Sequence, residues 1–150
     1  MGPSLRLVRR DPPVLGHPAA TDRLSSQDHF THSQQLTIEV GEHRAAKDEH
    51  NRIKDGHQQR INTIIGKFNK STDQNERAQL GVDRAMHEKQ RKMAEQQAQS
   101  EARLATAKEH QSAAHGQAST GSAQGYANAH IRQEQAKETM KQPLGHASHH

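Results

Sequence analysis

Histidine is the side chain with the most chemical potential in this sequence, with 13 among 150 residues. His43, His50 and His57 recur every seven residues and share one side of a helix with Ile64. Seven residues of helix rise about 10.5 Å, which is too far for two of these imidazoles to share a metal ion. In a parallel oligomer, each level would bring together one histidine per chain. The row therefore predicts a histidine seam between chains, which binds a metal or an anion or opens when protonated below about pH 6.5. The alternative is a frayed helix end with solvated histidines.

Two other histidine groups have shorter spacings, and the chain has no cysteine to join them in a metal site. They are His29 with His32, and His146 with His149 and His150. We interpret both as incidental surface histidines. No serine lies in a G-x-S-x-G turn, and His87-Glu88 lacks the second histidine of H-E-x-x-H. The sequence thus predicts no catalytic residue, no cofactor and no metal site, and we expect a protein that is not an enzyme.

A row of basic side chains could contact phosphates along one helix. It comprises Arg84, Lys89, Arg91, Lys92, Arg103 and Lys108. Acidic residues such as Glu88 are interleaved with them, some at the i,i+4 spacing of ordinary surface ion pairs, and the net charge is only +4. Base-stacking aromatic residues are almost absent. A solvated charged helix face is therefore favoured over a nucleic-acid-binding face.

Bulky apolar residues are scarce, since Leu, Ile, Val and Phe together supply only 20 of the 150 residues. Such a chain cannot build a large globular core of its own, which argues against a self-contained enzyme domain. Alanine and glutamine, with 19 and 17 residues, take the place of bulky side chains. A mostly α-helical chain that completes its core by assembly with other chains fits this composition.

Most of the bulky residues in the middle of the chain fall on one helical stripe when each residue advances by 100°. The stripe contains Ile53, Ile61, Ile64, Ile65, Phe68, Val82, Met86, Met93 and Leu104. Leu80 lies off the stripe. The steps Ile53–Ile64 and Val82–Met93 are 11 residues long, which predicts a nearly straight or slightly right-handed seam rather than a left-handed heptad coil.

Composition and periodicity divide the chain into six segments. They are an irregular Pro/Arg-containing arm (1–35), a short strand or extended linker (36–41), a helical region (42–111), an Ala/Gly/Ser/Gln linker (112–129), a short helix (130–142) and a tail (143–150). The helical region is either one long amphipathic helix or a two-helix hairpin of coiled-coil type. Cap-like residues Ser71 and Asp73 favour a break at 69–73, although 61–68 also resembles a strand.

These features predict a structural or interaction protein that assembles with itself or with other subunits, such as a component of a virion or a secretion-type particle. The alternatives are a small basic nucleic-acid-binding accessory protein, or a secreted or ejected protein that is disordered until bound. No apolar run approaches a membrane span, and Arg6 interrupts the only N-terminal run that could serve as a signal peptide. We therefore expect the cytoplasm or an assembled particle as its location.

Overall fold

Three α-helices account for almost all of residues 25–142, which are the residues that the computed structural model describes. They are α1 (Ser26–Lys70), α2 (Gln74–Ala118) and α3 (Ala123–Lys141). Within residues 25–142 there is no strand, so the prediction of a mostly α fold is confirmed. The predictions for residues 1–24 and 143–150 lie outside the described residues.

The helices contribute to two compact units. One unit contains residues 42–103, and the described part of the other contains residues 25–41 together with 104–142. We describe each unit by itself.

The unit of residues 42–103 is an antiparallel pair of helical segments from α1 and α2. His43 contacts Glu101, and His57, two heptads later on α1, contacts His87, two heptads earlier on α2. Since equal steps run in opposite directions along the chain, the two segments are antiparallel and keep one register. The choice left open by the sequence, one helix or a hairpin, is thus settled in favour of two paired helices in this unit.

The turn between α1 and α2 consists of Ser71–Asp73 and has its own polar caps. The Asp73 carboxylate accepts a hydrogen bond from the Asn75 backbone N–H at 3.0 Å, which satisfies a donor at the start of α2. Arg77 donates from Nη1 to the carbonyl oxygens of Phe68 and Ser71, both at 2.9 Å. Its guanidinium also lies 3.8 Å from the centre of the Phe68 ring. Arg77 therefore binds carbonyl groups at the C-terminal end of α1 and stacks on the Phe68 ring.

In the unit of residues 25–41 and 104–142, α3 packs on α2 through small side chains. Ala114 and Ala118 of α2 and Ala129 of α3 are fully buried, and Tyr126 packs against them. Alanine at such contacts allows two helix backbones to approach closely without large side chains. The α1 segment bonds to α2 through hydroxyl groups: Ser33 Oγ donates to the Ser112 carbonyl, and Ser112 Oγ donates to the Ser33 carbonyl.

Two glycines shape the connection between α2 and α3. Gly121 has a φ of 71°, a left-handed conformation that glycine adopts at little cost. Gly125 lies in the first turn of α3, where its N–H donates to the N-cap Ser122 hydroxyl at 2.9 Å. A Cβ atom on Gly125 would overlap the Gln117 carbonyl oxygen and the Thr120 hydroxyl. The close approach of α3 to the end of α2 thus requires glycine at this position.

Several predicted segments differ from the structure. Residues 36–41, predicted as a short strand or linker, lie within α1. Leu36 and Val40 have the i,i+4 spacing of one helix face and are both directed inward, whereas Ile38 is exposed. Residues 26–35 of the predicted arm and 61–68 are also helical. Of the predicted linker 112–129, only residues 119–122 lie outside the helices. The short helix predicted at 130–142 begins at Ala123. Alanine, which the composition argument grouped with linker residues, is the strongest helix former and supplies the buried contacts here.

Replacement of Gly125 by alanine is expected to destabilise the protein by about 1–3 kcal/mol, because the new Cβ overlaps a backbone carbonyl that cannot rotate away. The matched control is Gly116→Ala, whose Cβ would meet only Ser33 Oγ at 3.7 Å, and which should be neutral or stabilising. Urea denaturation of both variants measures the difference. Equal stability of the two variants would contradict the close approach of α3 to α2.

Candidate functional site

The inward side of α1 in the unit of residues 42–103 follows a heptad repeat. His43, His50, His57 and Ile64 are all half-buried and recur every seven residues; Lys47, Lys54, Ile61 and Phe68, four residues further on, form a second inward row. On α2, the matching row contains Leu80, His87, Ala94 and Glu101. We call these positions the seam. The alternating steps of four and three are those of a left-handed coiled coil.

The seam corrects the predicted 11-residue repeat. Leu80, which lies off the predicted stripe, is half-buried in the seam, whereas Val82 beside it is exposed. The physical reason is that the partner of α1 is a segment of the same chain, and two paired helices keep contact only at residues with a mean spacing of 3.5. The 11-residue steps connect outward side chains on α2 instead.

His57 and His87 face each other across the seam. Their Nδ1 atoms are 3.0 Å apart, and their ring centres 5.2 Å, so one imidazole donates a hydrogen bond to the other. Burial and then the nearby His87 and Arg60 lower the pKa of His57 below its ordinary value. Beside this pair, Arg91 donates to the Gln58 side chain at 2.6 Å. This level of the seam therefore favours the neutral form of His57.

His43 meets a different partner. Its Nδ1 atom lies 2.7 Å from Oε2 of Glu101, and both side chains are largely covered. A protonated His43 donates a charge-assisted hydrogen bond to this carboxylate. The same register places His50 level with Ala94, a small and buried residue. The three histidines of the predicted row thus face a carboxylate, an alanine and a second histidine within their own chain.

The unit of residues 25–41 and 104–142 contains a histidine cluster. His29 is fully buried, and its Nδ1 lies 2.9 Å from Nδ1 of His115. His32 stacks on His115 with 5.2 Å between ring centres, and Tyr126 approaches His29 edge-on. Burial, and then His29 and His32, lower the pKa of His115 to about 4. Among residues 25–142, no group of three or more His, Asp or Glu side chains has a geometry that could hold a metal ion.

Sequence reasoning missed this cluster, although a signal was present. His29, expected at the surface, is buried, whereas His32 is exposed as expected; the sequence prediction did not include His115. His29 lies two heptads before His43, and His115 lies two heptads after Glu101. The seven-residue step, extended in both directions along the sequence, thus predicts the positions of His29 and His115.

The predicted assembly stripe is distributed over both sides of the helices. Ile61 is buried, and Ile64, Ile65, Phe68 and Leu104 are half-buried. Ile53 is exposed beside the seam. Val82, Met86 and Met93 are 64%, 49% and 49% exposed and fall within about 40° of one another on the face of α2 that points away from the seam. We call these three residues the outer row.

Three of the six predicted phosphate-contacting residues have partners within the chain. Arg84 pairs with Glu88 at 2.9 Å, Arg91 donates to Gln58, and Lys108 pairs with Glu39 at 2.9 Å. Arg103 is half-buried and has a covered Nε atom. The remaining two, Lys89 and Lys92, are exposed on α2.

Comparison with known proteins finds no family model, no curated protein and no solved structure that matches this chain. A search of the helices within residues 25–142 finds none with both the length and the apolar character that a membrane span needs.

The pKa of His115 is expected to stay well below its ordinary value after His29→Gln, because burial rather than the neighbouring histidine is the largest cause of its depression. Glutamine retains a polar side chain but never carries a charge. The titration of each imidazole can be followed by two-dimensional NMR between pH 3 and 8. A return of His115 in this variant to an ordinary pKa would show that charge repulsion, and not burial, dominates.

Proposed function

We propose that this protein is a non-enzymatic structural protein that assembles through the outer row, as a component of a larger particle such as a virion or a secretion-type apparatus. The observation that carries the proposal is the exposure of Val82, Met86 and Met93 on one face of α2. The outer row belongs to the same helix that holds the seam on its other side.

The use of apolar residues supports this proposal. The chain has few large apolar side chains, yet three of them face solvent in line, while the contacts between α2 and α3 use alanine. Covering each half-exposed side chain of the outer row would contribute roughly 1 kcal/mol. Single exposed apolar residues are ordinary, but an aligned group is typical of an interaction surface.

The spacing of the outer row favours a helical partner. Val82, Met86 and Met93 are separated by four and seven residues, so they form a ridge nearly parallel to the axis of α2. Such a ridge fits along another helix, as in helix-in-groove recognition and coiled-coil pairing. A second copy of α2 or a helix of another subunit provides the matching surface.

The charged side chains give less support to nucleic-acid binding. Phosphate contacts need cations that are free to release their counterions, whereas Arg84, Arg91 and Lys108 already bind partners in their own chain. The accessory-protein hypothesis predicts binding to DNA or RNA that falls steeply with salt. The hypothesis of a protein that is disordered until bound predicts unprotected amides in the free chain.

Aspartate at both Met86 and Met93 is expected to abolish assembly, because two charges would have to be buried in the interface. The matched control is aspartate at Gln90 and Gln97, which are exposed on the same helix with the same spacing but lie beside the outer row. Light scattering across a concentration series gives the mass of each variant, and circular dichroism reports helix content. Failure of the Met variant to reduce the mass below that of the control would refute the proposal.

A further inference from the structure

We propose that acidification separates two histidine–histidine pairs, His57–His87 in the seam and His29–His115 in the other unit, while the His43–Glu101 contact stays closed. This inference goes beyond assembly through the outer row and does not depend on it. It follows from the chemistry that each inward histidine meets in its own unit.

The first step is the proton count of a histidine pair. In the neutral pair, Nδ1–H of one imidazole donates to the bare Nδ1 of the other. A first added proton goes to Nε2 of the donor ring and leaves this hydrogen bond intact. A second proton must go to the accepting Nδ1, which removes the acceptor and places two positive rings in contact. Each pair therefore titrates in two coupled steps, and the second step breaks the contact.

The charged groups around His57–His87 oppose a second proton. Lys54 precedes His57 in the seam, the half-buried Arg91 follows His87 by four residues on α2, and Arg60 also acts on His57. The carboxylate of Glu88, next to His87 in the sequence, is paired with Arg84 at 2.9 Å. Besides burial, the charges that lower the pKa of His57 are thus those of His87 and Arg60.

The surroundings of the His29–His115 pair also oppose the binding of a second proton. On α1, His32 stacks on His115 and adds a third imidazole that can become charged. On α3, Tyr126 presents its neutral ring edge to His29, and Lys137 and Lys141 line the same open groove as His32 and His115. The groove also contains Glu39, whose carboxylate binds Lys108 at 2.9 Å. The full burial of His29 further disfavours a charged pair.

The His43–Glu101 contact has a different chemistry. Nδ1 of His43 faces a carboxylate oxygen at 2.7 Å, so protonation at this level places no two positive rings in contact. His50, opposite Ala94, has no second imidazole at its level either. Within residues 42–103, the seam therefore contains one level with a histidine pair that acid opens and two levels without such a pair.

The sign of the linkage is defined by the depressed histidine pKa values. Because His57 and His115 bind protons more weakly in the folded chain than in the unfolded chain, their contribution to stability is complete above pH 6.5 and declines below it. For His115, the decline extends down to about pH 4. Opening should thus be detectable at pH 5.

The test is amide hydrogen exchange of the full chain at pH 7.5 and pH 5.0, expressed as protection factors so that the intrinsic pH dependence cancels. We expect protection around His29 and His115 to fall at least tenfold, because the pKa of His115 is lowered to about 4, and protection around His57 and His87 to fall in the same direction. Protection around His43 and Glu101 should change less than twofold. A uniform fall along both helices, or no fall at the histidine pairs, would overturn the proposal.

The variants His87→Gln and His115→Gln should each abolish the acid effect in their own unit, since glutamine cannot acquire the second proton. His50→Gln is the matched control and should retain both effects. Circular dichroism at pH 7.5 verifies that each variant is folded; if one is not, the two-step titration of the imidazoles in the unaltered protein decides, and a single step would overturn the proposal. The Met86→Asp/Met93→Asp variant should show the same acid effect, so failure of assembly and failure of this inference are distinguishable.

Discussion

The register between α1 and α2 is the constraint on which the other features depend. In the unit of residues 42–103, each step of seven residues forward along α1 is matched by a step of seven backward along α2. This rule decides that His57 meets His87, that His43 meets Glu101 and that His50 lies level with a small alanine. A shift of one residue would carry each inward row away from its partner. The polar contacts thus specify the pairing more than they drive it, because hydrogen bonds across a seam contribute modestly once the loss of water is counted.

Part of this arrangement could be predicted from the sequence. The helical character of the middle of the chain and the seven-residue row of His43, His50 and His57 are both visible there. The partners of the row were not found, because a helical wheel that counts only bulky residues assigns the stripe to Val82, Met86 and Met93. The inward residues of α2 are instead Leu80, His87, Ala94, Ala98 and Glu101. In a chain with so few large side chains, burial follows size and register rather than hydrophobicity.

The same reasoning explains the errors in the C-terminal half. Gly, Ala and Ser are typical of flexible linkers, but alanine is also the best helix former and the best residue for a close helix contact. Ala114, Ala118 and Ala129 meet in a core too narrow for larger residues, and Gly125 allows α3 to begin directly against α2. Composition alone does not distinguish these two uses of small residues, because the difference lies in their spacing.

The distribution of side chains has a consequence for the energy of folding. A seam in which histidine, lysine, alanine and glutamate outnumber four large apolar residues buries little apolar surface, so it contributes a small hydrophobic free energy per residue. Large apolar residues on the outer row contribute little until another surface covers them. The proposed partner would add stability by covering these residues, and the proposed protonation would act on a seam that has little hydrophobic free energy to oppose it. The scarcity of large apolar residues thus underlies both proposals, assembly through the outer row and opening of the histidine pairs in acid.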